Sequence, residues 1–140
     1  AGERAVFTGK LYGDELAAAY ASGDAFVFPS TTETLGMAMI EGLASGLPVI
    51  AARSGASGEV VREGLDGLLY EPENASPSLV ETVRRVFEED GLRERLVKGA
   101  RSSAQSRSWA ASTETVRGYY EEALATMNVK VEKGARVVSR

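Results

Sequence analysis

Short apolar runs alternate with longer amphipathic stretches in the first half of the chain. Ala5–Thr8, Ala25–Phe28 and Gly67–Tyr70 are runs of this kind, and Pro48–Ala51 is a fourth that begins with proline. Short runs bounded by glycine, proline and polar residues are typical of buried strands. Proline is tolerated at the first position of a strand. The pattern therefore predicts about four strands.

Helical stretches separate these predicted strands. One helix is predicted from Gly13 to about Gly23, and another from Leu35 to Ser45. In the second helix, the buried face is expected to contain Met37, Ile40 and Ala44, which share one side at helical spacing. A strand, helix and strand in succession form a right-handed parallel unit. The alternation predicts an α/β fold with a partial, Rossmann-like parallel sheet.

After Tyr70 the pattern is helical. An amphipathic face is formed by Leu79, Val80, Val83, Val86 and Phe87. Two further helices are predicted over about Gly91–Ala104 and Trp109–Met127, and the aromatic residues of the last one, Trp109, Tyr119 and Tyr120, are expected to anchor it in a core. We place the domain at residues 1–127. Residues 128–140 form a basic tail, which we expect to be mobile or ordered by a partner.

The stretch Pro29–Val49 concentrates the candidate chemistry. The predicted strand Ala25–Phe28 runs into a polar loop carrying Glu33, and Gly36 opens a helix on which Glu41 follows. The first N–H groups of a helix lack partners, so a loop at the carboxyl end of a parallel strand that leads into a helix attracts an anion such as a phosphate. A carboxylate only accepts hydrogen bonds, so Glu33 and Glu41 suit hydroxyl donors on either side of that anion.

Simpler interpretations of the same residues stay open. Glu33 is also placed to cap the helix that follows it, and Glu41 is also an ordinary position for a solvated helix glutamate. The amides of Thr34, Leu35 and Gly36 suit phosphate and sugar oxygens, or they only begin the helix.

The combination Pro-Ser-x-x-Glu-x-x-Gly-x-x-x-x-Glu-x-x-x-x-Gly-x-Pro-Val restricts the choice much further than the spacing of two glutamates. It resembles the donor-binding signature of the retaining glycosyltransferases of family 4, which have the GT-B fold. Within that family the chain is similar to the plant and algal sulfoquinovosyltransferases. That likeness rests on Val6-Phe-Thr-Gly-Lys-Leu, Ala19-Tyr-Ala-Ser-Gly-Asp-Ala-Phe-Val-Phe-Pro-Ser, Glu33-Thr-Leu-Gly and Ala51-Ala-Arg-Ser-Gly.

The resemblance implies a role for each residue of the stretch. Glu33 contacts hydroxyls of the transferred sugar and is the catalytic candidate. Thr34, Leu35 and Gly36 offer their amides to the phosphate and sugar, and Glu41 receives the ribose hydroxyls. Leu35 stands where the family often has an aromatic residue.

Two neighbouring features carry weaker expectations. Arg53 is placed either to meet an anionic group of the donor, such as a sulfonate, or to form a surface ion pair. Gly55–Glu59 is similar to a Gly-Gly-x-x-Glu segment of the family, with Ala56 in place of the second glycine, and is otherwise a tight turn.

Composition excludes several other classes of function. The chain has 140 residues with 44% hydrophobic and 26% charged residues, which suits one globular domain. It contains no cysteine and no histidine, so thiolate chemistry, disulfides and histidine general bases are excluded within it, and no metal site is predicted. A formal net charge of −4 gives no reason to expect nucleic acid.

By resemblance the chain is the distal part of a donor domain, with a nucleotide sugar, UDP-linked, as substrate and no cofactor. We expect the parent enzyme to transfer the sugar, including sulfoquinovose, to a lipid such as diacylglycerol, and the chain alone to be inactive. A missing amino-terminal domain or another protein chain is expected to cover the free sheet edge. The alternative function is a non-catalytic assembly or packing subunit. The sulfoquinovosyl likeness implies peripheral association with the plastid envelope of the chloroplast, and without it a cytoplasmic location is expected.

Overall fold

The structure is a computed structural model and describes residues 4–126. It divides into two compact units, Ala1–Ser106 and Arg107–Arg140, which are described separately below. The predicted tail, residues 128–140, lies outside the described residues.

Strands and helices alternate in the first unit. In chain order, its elements are α1 Gly13–Ala21, β1 Phe26–Phe28, α2 Met37–Ala44, β2 Val49–Ala52, α3 Ser57–Val60, β3 Gly67–Tyr70, a 3₁₀ turn at Pro72–Asn74, α4 Ala75–Glu88 and α5 Leu92–Ser106. The second unit contains α6, Trp109–Thr126.

The strands form a three-stranded parallel sheet in the order β1-β2-β3. Phe26 lies beside Val49, and Val49 lies beside Gly67, so the carboxyl ends of all three strands reach the same edge. The predicted α/β parallel fold is therefore confirmed.

The strand count is lower than expected. The predicted strand Ala5–Thr8 forms no strand, and Phe7 is 93% exposed. An apolar run becomes a strand only where a neighbouring strand offers hydrogen-bond partners, and no described residue pairs with this run.

The central strand β2 is buried on both faces. Val49 and Ala51 pack with Met39 and Leu43 of α2 on one face. The alternate residues Ile50 and Ala52 pack on the other face, in a cluster with Leu68, Tyr70, Val86, Leu92 and Leu96. Parallel sheets are usually covered in this way, because each crossover places a helix on one face.

Two predicted apolar faces differ from the structure. In α2 the buried side chains are Met39 and Leu43; of the predicted face, Ile40 is half-buried against the core, whereas Met37 is 42% exposed and Ala44 is exposed. The helix is almost wholly apolar, so its periodicity did not identify the buried side. In α6 no residue is buried and Trp109 is 82% exposed, so the aromatic residues are not core anchors in the described chain.

A buried carboxylate closes the turn before β3. Asp66 is fully buried; its Oδ1 accepts the backbone N–H of Arg62 at 2.7 Å, and its Oδ2 accepts Arg62 Nε at 3.1 Å. The Ser103 hydroxyl of α5 donates to the same Oδ2 at 2.5 Å. A buried charge is tolerated when it is paired and hydrogen-bonded, so this cluster joins the turn to α5.

Gly99 allows that helix to approach the turn. A Cβ atom at Gly99 would lie 1.7 Å from the backbone oxygen of Leu65, which no rotamer change relieves. A Cβ atom at Gly58 in α3 would have no other atom within 4 Å. The close approach of α5 therefore requires glycine at position 99.

We predict that Gly99→Ala destabilises the chain by about 3 kcal/mol or more, because overpacking against backbone cannot be relieved locally. The control Gly58→Ala is expected to leave stability unchanged or to raise it by up to about 1 kcal/mol. Urea unfolding of both variants measures the difference. Equal unfolding midpoints would contradict the close approach.

Candidate functional site

Three loops meet at the carboxyl edge of the sheet. The loop after β1, residues 29–36, is called the donor loop below. The Tyr70 hydroxyl donates to the carbonyl of Pro29 and the Ser54 hydroxyl donates to the carbonyl of Thr31, each at 3.3 Å. The N–H of Ala56 donates to the Glu33 carbonyl, also at 3.3 Å. The ends of β2 and β3 therefore hold the donor loop at both its start and its middle.

Glycine is required where these loops approach one another. Gly36 precedes α2 with a φ of +76°, and a Cβ there would lie 2.8 Å from Val60 Cγ2 and 2.9 Å from Met39 Cε. Gly55 has a φ of +47°, and a Cβ there would lie 2.9 Å from the Glu33 carbonyl oxygen. Positive φ and close contact both favour glycine.

The Glu33 carboxylate binds backbone N–H groups of its own loop, just before α2 begins, and α2 itself has no side-chain capping hydrogen bond. Its Oε1 accepts the backbone N–H groups of Thr34 at 3.1 Å, Leu35 at 3.0 Å and Gly36 at 2.9 Å. These bonds, led by the bond from Gly36 and followed by that from Leu35, hold the pKa of Glu33 below its usual value of 4.5. Helix starts favour a negative charge for the same reason.

The groups predicted to contact the nucleotide sugar, Glu33 and the amides of residues 34–36, are thus brought together, but they are bonded to one another. Glu33 does not cap α2 as the alternative interpretation expected, because its bonds stay within the loop that precedes the helix. The three N–H groups converge on a single oxygen, which is the geometry that a phosphate or sugar oxygen would need. The Leu35 side chain is 63% exposed and is not among the buried core residues.

Glu41 lies further along α2, on an exposed part of the helix. Its Oε2 is 3.2 Å from the hydroxyl of Tyr20 at the end of α1. That hydroxyl is also 3.3 Å from the carbonyl oxygen of Ala38. Glu41 is therefore held by a neighbouring helix, a contact that its position on α2 does not predict.

Arg53 forms the surface ion pairs that were one of its two predicted roles. Its Nε is 2.7 Å from Glu71 Oε1, and its Nη2 is 3.3 Å from Glu63 Oε2. The hydrogen bond to Glu71 is the largest of the effects that raise the pKa of Arg53. Two carboxylates already balance this guanidinium, so the arrangement does not favour a free cation for a sulfonate.

Residues 4–126 were predicted to hold no metal, and their helices bear on membrane crossing as well. No group of three or more acidic side chains there is arranged to hold a metal ion. No helix in the same range is both long and apolar enough to cross a bilayer.

The sequence profile of the family described as "Glycosyl transferases group 1" matches residues 1–103. The chain belongs to this family. The match covers the whole carboxyl edge described above and confirms the resemblance on which the predicted roles were based.

Curated relatives agree with this assignment. The chain is 43% identical over 119 residues to the sulfoquinovosyl transferase SQD2 of Arabidopsis thaliana, covering 83% of this chain and 23% of that protein. It is 37% identical over 126 residues to a GDP-mannose-dependent alpha-mannosyltransferase of Mycolicibacterium smegmatis, covering 90% of this chain and 33% of that protein. The chain therefore spans about a quarter to a third of the length of these relatives.

Solved structures of glycosyltransferases share the fold. The sucrose-phosphate synthase of Thermosynechococcus elongatus superposes with a TM-score of 0.76 at 29% identity, over 89% of this chain and 31% of that one. Anabaena Alr3699/HepE, solved in complex with UDP, gives a TM-score of 0.62 at 26% identity, over 77% of this chain and 29% of that one. The group 1 chain thus has the α/β fold of GT-B glycosyltransferases.

Two tyrosines that contact the site were not identified from the sequence. Tyr20 was placed only within the first predicted helix, and Tyr70 only at the end of a strand. No spacing rule reveals that their hydroxyls reach Glu41 and the Pro29 carbonyl, because both contacts join residues distant in the chain.

We predict that the Glu33 carboxyl titrates below pH 4.5 in the folded chain, because three N–H groups stabilise its charged form. Its contribution to stability is then present above the unfolded-state pKa and is lost as pH falls through the lower folded-state pKa. Carbon-detected NMR titration measures the midpoint. Glu33→Gln is expected to destabilise the chain at pH 6 and to have a smaller effect at pH 3; an effect independent of pH would contradict the stabilising role of the charged carboxylate.

Proposed function

We propose that this chain is the donor-binding part of a retaining glycosyltransferase and that it takes a UDP-linked sugar. Membership of the group 1 family supports the reaction class. The Anabaena protein solved with UDP supports the nucleotide. The chain spans only part of the length of its relatives. We therefore also propose, and do not observe, that an enzyme containing this chain transfers the sugar.

One observation carries the proposal: three N–H groups in the loop just before α2 converge on a single carboxylate oxygen of Glu33. These three N–H groups, called the cradle, thus already bind a negatively charged oxygen. A phosphate oxygen carries the same charge and hydrogen-bond pattern.

Donor binding then involves an exchange of partners. A carboxylate and a phosphate are both acceptors and repel one another, so they do not share the three N–H groups. Glu33 turns toward the hydroxyls of the transferred sugar, as the catalytic candidate, and the amides of Thr34, Leu35 and Gly36 contact the phosphate and the sugar. The form in which Glu33 binds the three N–H groups is the resting state of the loop.

Glu41 receives the ribose of the nucleotide in the same proposal. A vicinal diol offers two donors that one carboxylate accepts together. Glu41 is five residues beyond Gly36, which corresponds to about 7.5 Å along a helix. Glu41 therefore lies more than one helical turn beyond the three N–H groups that Glu33 occupies.

The finer identity of the donor follows the plant relative. We propose UDP-sulfoquinovose, with transfer to a lipid acceptor at the surface of the plastid envelope, because that relative is a sulfoquinovosyl transferase at 43% identity. Relatives named for GDP-mannose indicate a competing donor. If the sulfoquinovosyl likeness does not hold, we expect the protein to be cytoplasmic. Competition between UDP-sulfoquinovose, UDP-glucose and GDP-mannose for the purified chain separates these donors.

We predict that UDP binds the purified chain and that Glu41→Ala weakens binding by about tenfold, because a charge-assisted contact to the ribose is lost. Saturation-transfer NMR and a titration of backbone resonances measure this. The matched control is Glu81→Ala, which removes an exposed helix glutamate in α4 and should leave binding unchanged.

Two results would oppose the proposal. A folded wild-type chain that shows no contact with UDP would favour the assembly or packing role instead. Sugar transfer from a radiolabelled UDP-sugar by the chain alone would refute the proposal that the chain is incomplete for catalysis.

A further inference from the structure

Tyr20 connects the end of α1 to the candidate ribose-binding carboxylate. Its hydroxyl is 3.2 Å from Glu41 Oε2 and 3.3 Å from the Ala38 carbonyl oxygen. An ionised carboxylate and a carbonyl only accept hydrogen bonds, so the tyrosine is the donor to both. Both distances are long for a hydroxyl donor, as expected when one proton is shared between two acceptors.

The protonated form of this tyrosine is favoured at neutral pH. Burial raises the pKa of Tyr20, and the hydrogen bond from its hydroxyl to Glu41 and the charge of Glu41 raise it further. The hydroxyl is therefore a persistent donor under conditions in which Glu41 is a carboxylate.

Packing holds the ring of Tyr20 in place. Its centroid lies 5.4 Å from that of Phe26, with the two rings tilted by 58°. Phe26 in turn lies against α2 at Gly42, where a Cβ would be only 3.1 Å from the Phe26 ring. The contacts among α1, β1 and α2 thus fix the phenol relative to the helix that carries Glu41.

A glutamate on an exposed helix surface otherwise samples many rotamers, and ordering it on binding costs entropy. A hydrogen bond to Oε2 restricts those rotamers before the ligand arrives. Oε1 and a second lone pair on Oε2 remain available to the two hydroxyl donors of a diol.

We propose that Tyr20 is a positioning residue that orients the Glu41 carboxylate toward a ribose diol and so sets the preference for ribonucleotides over nucleotides that lack these hydroxyls. The inference rests on the proposed function and names a determinant of its specificity. A purely structural tyrosine would affect all nucleotides alike.

The test measures the affinity of the purified chain for UDP and for 2′,3′-dideoxy-UDP by NMR titration. The wild-type chain is expected to prefer UDP by about tenfold, since the diol contributes charge-assisted hydrogen bonds. Tyr20→Phe removes only the hydroxyl and should weaken UDP by about fivefold while leaving dideoxy-UDP unchanged. Tyr12→Phe removes an exposed hydroxyl elsewhere in the same unit and serves as the control.

A double-mutant cycle isolates the coupling. In a Glu41→Ala background, Tyr20→Phe is expected to have no further effect on UDP affinity, because the carboxylate that it orients is gone. A second measurement keeps the test independent of the folding of the tyrosine variant. In the ligand-free chain, Glu41→Ala should shift the Cζ resonance of Tyr20, and UDP but not dideoxy-UDP should shift it in the wild type.

The outcomes separate the two proposals. If the folded wild-type chain does not bind UDP, the proposed function fails and this inference fails with it. If the wild type prefers UDP and Tyr20→Phe keeps the same preference, only the positioning role is overturned. An unchanged Cζ resonance of Tyr20 in Glu41→Ala would also overturn it.

Discussion

The double-sided burial of strand β2 is the constraint on which the rest of the first unit depends. Its side chains alternate between two faces, so Val49 and Ala51 require a covering layer on one side, and Ile50 and Ala52 require another on the opposite side. Helices supply both layers. Crossovers of the same hand then deliver every strand in the same direction, and the loops that leave the strands collect at one edge. The candidate site is a consequence of that requirement.

At this edge, the backbone N–H groups need a hydrogen-bond acceptor, and the oxygen of an anionic ligand is an acceptor of the same kind. The loop before α2 presents three backbone N–H groups, and Glu33 binds all three with one oxygen. This bonding holds the loop when no ligand is present, and in the proposed function it occupies the N–H groups that a phosphate would use. The affinity for a nucleotide sugar would then be the difference between the binding of two anions at one place, so stronger bonding of Glu33 would weaken the binding of the ligand.

The sequence predicted the sheet and its loops well, because short β-branched and aromatic runs, glycine breaks and one restrictive motif are local signals. Gly67–Tyr70 was predicted at its observed bounds, and the donor loop was placed correctly between β1 and α2. Failures occurred where a second element decides the outcome. Ala5–Thr8 needs a strand beside it, the buried side of α2 is chosen by the helices and strands around it, and Trp109 becomes a core residue only if something covers it.

The same distinction applies to the site. Its acidic residues could be named from the motif, since residue type and spacing are properties of the sequence. Their states could not be named, because Glu33 is defined by the three amides that it binds and Glu41 by a tyrosine twenty-one positions earlier. Arg53 shows the same limit: its charge suits a sulfonate, but the guanidinium is bonded to Glu71 and Glu63. A charge in a motif therefore predicts a ligand only after its partners within the protein are known. Glu33 and Glu41 are bonded by neutral N–H and O–H groups, whereas two carboxylates already neutralise Arg53, so the carboxylates support donor binding more strongly than the arginine does.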